Sequence, residues 1–131
     1  MMTMTTRSIW WWVILVILVI LDILDIMIDF CGIDGLQPLE PTGDEKMTLG
    51  WLKKNYGNKI TLCGNIDCGK LVTWTEQEIE EEVKKAIRIA APGGGYIISS
   101  SNSLHGGIPA ENALAYTRAV HKWGKYPISV N

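Results

Sequence analysis

The stretch "TEQEIEEEVKKAIRIAAPGGGYIISSS", residues 75–101, decides the fold class because it contains one complete change from helix to strand. Thr75 and Glu78 have the spacing of a capping box, in which each side chain satisfies a backbone N–H that the first helical turn leaves unpaired. Apolar residues then recur at helical spacing along one face: Ile79, Val83, Ile87 and Ala90. Acidic side chains come early and basic side chains late, as the helix dipole favours. The pattern predicts an amphipathic helix that begins after Thr75.

Three consecutive glycines, residues 93–95, separate this helix from a strand predicted at residues 96–100. A glycine-rich run invites comparison with a phosphate-binding loop. Phosphate-binding loops follow a strand and open a helix, whereas these glycines follow a helix and open a strand. The run is therefore interpreted as a turn that ends the helix.

The same alternation continues on both sides of this stretch. Upstream, short apolar runs predict strands at residues 34–39 and 59–64, with a helix near residues 47–55 between them. Downstream, a helix is predicted to start at Pro109, a residue suited to the first helical position, and to end at Gly124. Strands that alternate with connecting helices predict an α/β fold with parallel strands.

Polar side chains follow each of the three predicted strands. Glu40 follows the first strand, and Asn65 and Asp67 follow the second. Asn102 and His105 follow the third. Because the carboxyl ends of parallel strands carry the chemistry in β/α folds, these five residues are the candidate substrate-binding residues. For each one alone, an ordinary polar loop position is the simpler interpretation, and none is assigned a catalytic role.

The composition fits one domain, with 131 residues of which 47% are hydrophobic and 20% charged. A net charge of −2 gives no electrostatic attraction to nucleic acid. Cys31, Cys63 and Cys68 lack the spacing of a secreted disulfide framework, which favours reduced thiols in the cytoplasm. Cys63 and Cys68 as half of a zinc site would need a histidine at a recognised ligand spacing, so no metal site is predicted.

Residues 1–30 form a low-complexity apolar segment. Within it, "VILVILVILDILDIM", residues 13–27, repeats with a period of three, which fits neither a helix nor a strand. One interpretation is a membrane helix through residues 9–28, in which an aspartate near the bilayer centre costs about 2.5–3.5 kcal/mol. The other is a buried strand at residues 12–20 followed by a helix. That helix has three aspartates on one face: Asp22, Asp25 and Asp29. The short apolar run and the aspartate cost favour strand plus helix.

Four stretches resemble the C-terminal part of the uroporphyrinogen decarboxylase superfamily: "GIDGLQPLEP", "LKKNYGNKITLCGNID", "EEVKKAIRIAAPGGGYIISSSNSLHGGIPAEN" and "HKWGKYP". They occur in the family's order within residues 33–128. The resemblance implies a (β/α)8 TIM barrel, which needs about 250 residues when complete. The chain is therefore expected to hold the last three to four β/α units, with parallel strands, in a domain at residues 31–131.

The resemblance implies decarboxylation of uroporphyrinogen in porphyrin and haem biosynthesis, or a related corrinoid-dependent methyl transfer. The small-molecule substrate would be a porphyrinogen or a corrinoid-linked methyl donor. Aligning on "PAEN" places Asn102 where the decarboxylases have a histidine and the methyltransferases have a zinc-binding cysteine. Because asparagine is a poor zinc ligand, neither a metal nor another cofactor is expected.

The family's N-terminal arginine-rich motif and catalytic aspartate have no counterpart in this sequence. The chain is therefore expected to be an inactive cytoplasmic fragment of a truncated or split gene, with a complementing N-terminal chain as partner. The alternative is a remnant without catalysis, which acts in an interaction or is anchored in a membrane through residues 9–28.

Overall fold

The computed structural model describes residues 23–40 and 44–128. Contacts divide the chain into two units, one ending at Asp34 and the other beginning at Gly35. The strands of the second unit are β1 (Gly35–Leu39), β2 (Thr61–Ile66) and β3 (Tyr96–Ser100). Its α-helices are α1 (Leu49–Tyr56), α2 (Glu76–Ala90) and α3 (Ala110–Trp123). Each described strand is followed by a helix, which confirms the predicted alternation.

In the first unit, residues 23–25 are helical and continue into a π-helical turn at Ile26–Phe30. The Cys31 N–H donates to the Ile26 carbonyl at 2.9 Å and closes this turn. Asp25 and Asp29 are exposed. The predicted strand at residues 12–20 and Asp22 lie outside the described residues, as does most of the proposed membrane segment. Within the described part of the chain, no helix has the length and apolar character needed to cross a bilayer.

The three strands form one parallel sheet in the order β1-β2-β3. The central strand β2 pairs with β1 through Leu36 and Leu62, and with β3 through Leu62 and Tyr96. Since a tight hairpin cannot join parallel strands, each connection needs a crossover, which here contains a helix. The parallel pairing predicted from the alternation is confirmed.

The strand β2 begins two residues later than predicted, at Thr61 rather than at Lys59. The N–H groups of Lys59 and Ile60 both donate to the Tyr56 carbonyl at the end of α1, at 2.8 and 3.0 Å. These two donors therefore close the helix and are not available to the sheet. Pairing with the neighbouring strands starts at Thr61, and the strand runs on to Ile66.

One face of the sheet is buried and the other is partly open. Along β2, Leu62 and Ile66 are fully buried, whereas Cys63 is half-buried. Ile97, which pairs with Cys63, is 57% exposed. The buried face packs against α2, which contacts both β2 and β3. Because a fully buried leucine or isoleucine contributes about 1.5–3 kcal/mol, this face supplies much of the stability.

The glycine turn ends α2 as predicted. Gly93, Gly94 and Gly95 have φ angles of 78°, 78° and 67°, in the left-handed region that residues with a Cβ atom rarely adopt. The turn presents the Gly95 carbonyl to the Leu62 N–H at 3.0 Å. The run therefore joins helix to strand, as predicted, in contrast to a phosphate-binding loop, which opens a helix.

The helix α2 begins with the predicted capping box. The Glu78 N–H donates to Thr75 Oγ1 at 3.3 Å, and the Thr75 N–H donates to Glu78 Oε2 at 2.8 Å. The backbone hydrogen bond from Thr75, followed by that from its hydroxyl, lowers the pKa of the Glu78 carboxyl. On the exposed side, Arg118 of α3 pairs with Glu76 at 2.8 Å. Since exposed pairs contribute at most about 1 kcal/mol, the cap and the apolar stripe fix α2 more than these charges do.

We expect Thr75→Ala to lower the free energy of unfolding by about 1 kcal/mol, the usual cost of removing an N-cap side chain. Thr75→Ser keeps the accepting hydroxyl and should retain most of the stability. Urea denaturation followed by circular dichroism measures both variants. Equal midpoints for Thr75→Ala and the parent chain would show that the box does not stabilise α2.

Candidate functional site

The five candidate residues divide between two cavities and the surrounding surface. The strand-end cavity, of about 410 Å³, lies across the carboxyl ends of β1 and β3. Its lining is Gln37, Pro38, Ser99, Ser100, Asn102 and Ser103. The interhelical cavity, of about 240 Å³, lies between α1, α2 and the end of β2, and Asn65 and Asp67 are among its lining residues. Glu40 and His105 line neither cavity.

The strand-end cavity offers hydrogen-bonding groups without charge. Its lining has three serine hydroxyls and two side-chain amides, and none of its six residues is ionisable. Ser99 Oγ donates to the Ser100 carbonyl at 3.2 Å, and Ser100 Oγ donates to the Asn102 carbonyl at 2.7 Å. Hydroxyls and amides can both donate and accept, so this lining suits a polar ligand group of either character.

Asn102 is held by its backbone, which leaves part of its side chain available. The Cys68 thiol donates to the Asn102 carbonyl at 3.0 Å, and the Asn102 N–H donates to Cys68 Sγ at 3.3 Å. Asn102 Oδ1 accepts from the Ser103 N–H at 2.8 Å, which is a local turn contact. The Nδ2 group makes no hydrogen bond within residues 23–40 and 44–128. Asn102 as a substrate-binding residue stays a prediction, with this amide group as the donor.

Asp67 and Asn65 occupy the interhelical cavity in different ways. Asp67 Oδ1 accepts from the N–H groups of Gly69 and Lys70 at 2.8 and 3.1 Å, which starts the 3-10 helix Lys70–Val72. The side-chain amide of Asn65 has no hydrogen-bond partner in the described part of the chain. The predicted role of both residues in substrate binding is not established by these contacts.

His105 and Glu40 are exposed and line neither of the two cavities. His105 Nδ1 accepts from the Gly107 N–H at 3.2 Å, and its carbonyl accepts from the Ile108 N–H at 3.0 Å. The histidine therefore shapes the turn before α3. Among the described residues, no three histidine, cysteine, aspartate or glutamate side chains are grouped to hold a metal ion. A substrate-binding role for His105 or Glu40 remains a prediction.

Two residues that fix the site were not among the candidates. Cys68, 6% exposed, joins the loop after β2 to the loop after β3 through Asn102. Asn112 Nδ2 donates to the carbonyls of Leu71 and Trp74 at 2.8 and 2.9 Å, and so joins α3 to the loop after β2. Asn112 is the last residue of "PAEN", so the motif was visible in the sequence but its distant partners were not.

Two half-buried tyrosines support the same region. The Tyr96 hydroxyl donates to the Gly64 carbonyl at 2.6 Å, directly before Asn65. Burial is the main cause that raises the pKa of Tyr96 well above its ordinary value. Burial, followed by the nearby Cys68, raises the pKa of Tyr116 to about 12. Both phenols are therefore protonated at neutral pH, and Tyr96 remains a hydrogen-bond donor.

The arrangement defines a class of protein. Parallel strands that are each followed by a helix, with polar side chains at their carboxyl ends, are consistent with part of a (β/α)8 barrel. Such a barrel closes with eight strands, and the described residues contribute three.

Comparison with known families identifies this barrel. The family described as Uroporphyrinogen decarboxylase (URO-D) matches residues 19–123. The chain belongs to the uroporphyrinogen decarboxylase family. The match begins inside the low-complexity segment. The family's pattern therefore extends further upstream than residue 33, where the resemblance described in the sequence analysis begins.

Individual relatives match about two thirds of the chain. Uroporphyrinogen decarboxylase of Pseudoalteromonas atlantica is 32% identical over 94 residues, which are 67% of this chain and 26% of that protein. The protein of the same name from Serratia proteamaculans is 31% identical over 98 residues, 70% of this chain and 27% of the relative. The chain therefore spans about a quarter of the length of these relatives.

We expect Cys68→Ala to loosen the backbone at Asn102, because the Cys68 thiol donates to the Asn102 carbonyl and its sulfur accepts from the Asn102 N–H. Hydrogen exchange at the Asn102 amide should be about fivefold faster, equivalent to about 1 kcal/mol. Cys63→Ala is the control, since the half-buried Cys63 thiol makes no hydrogen bond in the described part of the chain. Exchange measured by nuclear magnetic resonance at equal rates in both variants would contradict this role.

The raised pKa values of Tyr96 and Tyr116 predict that the chain loses stability in alkali. A tyrosine has a pKa of about 10 when unfolded, so the native state holds these protons more tightly. Their contribution is fully present below about pH 10 and is lost as pH rises towards the folded values. The free energy of unfolding should fall more steeply from about pH 9 to about pH 11 in the parent than in Tyr96→Phe/Tyr116→Phe. If urea denaturation shows that the free energy of unfolding falls equally with pH in the parent and in the double variant, the prediction is refuted.

Proposed function

We propose that the chain forms the C-terminal part of the barrel of a uroporphyrinogen decarboxylase-type enzyme and contributes the strand-end cavity to its substrate pocket. The observation that carries the proposal is the position of this cavity at the carboxyl ends of β1 and β3, where β/α barrels bind their substrates. The name of the relatives supports loss of carboxyl groups from uroporphyrinogen as the reaction. In that reaction the C–C bond to a carboxylate breaks, carbon dioxide leaves, and the electron pair that remains on carbon takes up a proton from water to form a C–H bond.

The cavity lining suits a carboxylate-bearing substrate only in part. Ser103 Oγ and the side-chain amides of Gln37 and Asn102 are neutral donors that orient a carboxylate, whereas the Ser99 and Ser100 hydroxyls donate to backbone carbonyls. Neutral donors bind an anion less strongly than arginine or lysine does, so the balancing positive charge comes from the remaining β/α units. Methyl transfer is not proposed, because asparagine at position 102 is a poor ligand for zinc.

The chain alone is proposed to be inactive because its sheet is incomplete. Within the described residues, β1 and β3 pair only with β2, so each has one edge whose backbone N–H and C=O groups lack strand partners. Ile97 on the open face is also largely uncovered. The remaining β/α units, supplied as an N-terminal chain or segment, are the partner that fits these edges and this face.

Activity in trans tests the proposal. The purified chain alone should release no carbon dioxide from uroporphyrinogen above the uncatalysed rate. Co-expressed with the N-terminal part of the Pseudoalteromonas atlantica enzyme, without that enzyme's own C-terminal quarter, it should restore carboxyl loss. The same N-terminal part together with the relative's own C-terminal quarter is the positive control for assembly from two pieces.

Matched asparagine variants test the cavity in the assembled protein. Asn102→Ala removes the free donor and should lower the rate about tenfold, as expected for a hydrogen bond to a charged group. Asn55→Ala should leave the rate unchanged, because that exposed amide donates to the Trp51 carbonyl at 2.8 Å, outside the cavity. Turnover by the chain alone, or no turnover in the assembly while the positive control is active, would contradict the proposal.

A further inference from the structure

The interhelical cavity is not used by the function proposed above. It shares no lining residue with the strand-end cavity. Its volume of about 240 Å³ is below the roughly 300–1,000 Å³ of drug-sized ligand sites, and it is too small for a tetrapyrrole. The space corresponds to about eight water molecules at roughly 30 Å³ each, which suits a ligand of amino-acid size.

One side of this cavity is apolar. Leu49 of α1 and Ala86 of α2 line it and are only 5% and 4% exposed. Ile89 of α2 also lines it but is 38% exposed, so an apolar group placed there would bury surface that water now reaches. The Trp74 ring contributes a further wall. These residues are complementary to a short hydrocarbon side chain.

The lining also carries polar groups that no hydrogen bond or ion pair uses within the described residues. The Asn65 amide makes no hydrogen bond, and Asp67 uses Oδ1 for two backbone N–H groups while Oδ2 accepts none. Lys70 Nζ makes a cation–π contact with the Trp74 ring, 5.7 Å from its centre, and forms no ion pair in this part of the chain. By contrast, the other two charged lining residues neutralise each other, since Lys85 and Glu82 are 3.1 Å apart.

The geometry points to a binding site in this cavity for a small zwitterion with an apolar side chain, such as a branched-chain α-amino acid. The ligand's carboxylate pairs with Lys70, its ammonium group pairs with Asp67, and the Asn65 amide bonds to either group. Its side chain covers Ile89. A simple anion or cation would leave one of the two protein charges unmatched, so the site discriminates against both.

Titration of the full ¹⁵N-labelled chain with L-leucine tests this inference by nuclear magnetic resonance. Saturable shifts should appear at the amides of Gly50, Asn65, Lys70 and Trp74. 4-Methylpentanoate lacks the ammonium group and L-leucinamide lacks the carboxylate, so each should bind about tenfold more weakly. A pH of about 6.5 keeps the leucinamide amine charged, because α-amino groups have a pKa of about 7.7–8.0.

Two charge-removing variants separate the two ends of the ligand. Asp67→Asn keeps the Oδ1 acceptor that forms the turn, and Lys70→Met keeps most of the aliphatic stem. Each should weaken L-leucine binding about tenfold, the value expected for a charge-assisted hydrogen bond. L-leucinamide should lose affinity in Asp67→Asn but not in Lys70→Met, because it has no carboxylate for Lys70 to bind.

A matched glycine pair tests the cavity itself. A Cβ atom at Gly50 would meet only Ile89, at 3.7 Å, so a side chain can start from this position, and Gly50→Leu is chosen to fill the cavity. It should abolish binding, whereas Gly106→Leu should not, because no atom lies within 4 Å of a Cβ at that position. No saturable shift with L-leucine, an analogue that binds as tightly as L-leucine, or equal binding by the two glycine variants would overturn the inference.

Discussion

Burial of β2 between two parallel neighbours is the constraint on which the rest of this structure depends. Leu62 and Ile66 are almost fully removed from water, and the strand is paired along both edges. Because parallel strands run in the same direction, the chain must cross back after each strand to the end of the sheet where the next strand begins. A helix makes each of these crossings here. Parallel pairing also brings the loops after β2 and β3 to the same end of the sheet. The contact between Cys68 and Asn102, 34 positions apart, is a direct result.

Local signals in the sequence predicted the helix α2 and the strand β3 well. The capping residue Thr75, the three glycines and the apolar run that follows act over only a few residues, so their effect does not depend on the rest of the fold. The start of β2 could not be predicted in this way. It depends on which N–H groups the Tyr56 carbonyl accepts once α1 has ended, and no residue at positions 59 or 60 signals that choice.

The site was predictable as a region but not as a set of side chains. Topology alone placed polar residues at the carboxyl ends of the strands. A polar side chain is free for a ligand only if no backbone group of its own loop already forms a hydrogen bond with it. The loop takes one oxygen of Asp67 and the ring nitrogen of His105, whereas the amide of Asn65 has no such local contact. These uses depend on turn geometry, which the strand pattern does not contain. The separation of Asn65 and Asp67 from Asn102 was therefore not visible in the sequence.

The hydrogen bonds of Asn112 have a consequence for the order in which the chain folds. They connect α3 to carbonyls that lie 41 and 38 positions earlier, at Leu71 and Trp74. Contacts between distant positions form slowly, because the entropy of closing a long loop is lost before the contact stabilises anything. During synthesis, the segment between β2 and α2 leaves the ribosome well before α3 does. Its local turn can form at once, but the carbonyls of Leu71 and Trp74 receive the hydrogen bonds from Asn112 only after α3 has been synthesised and has docked.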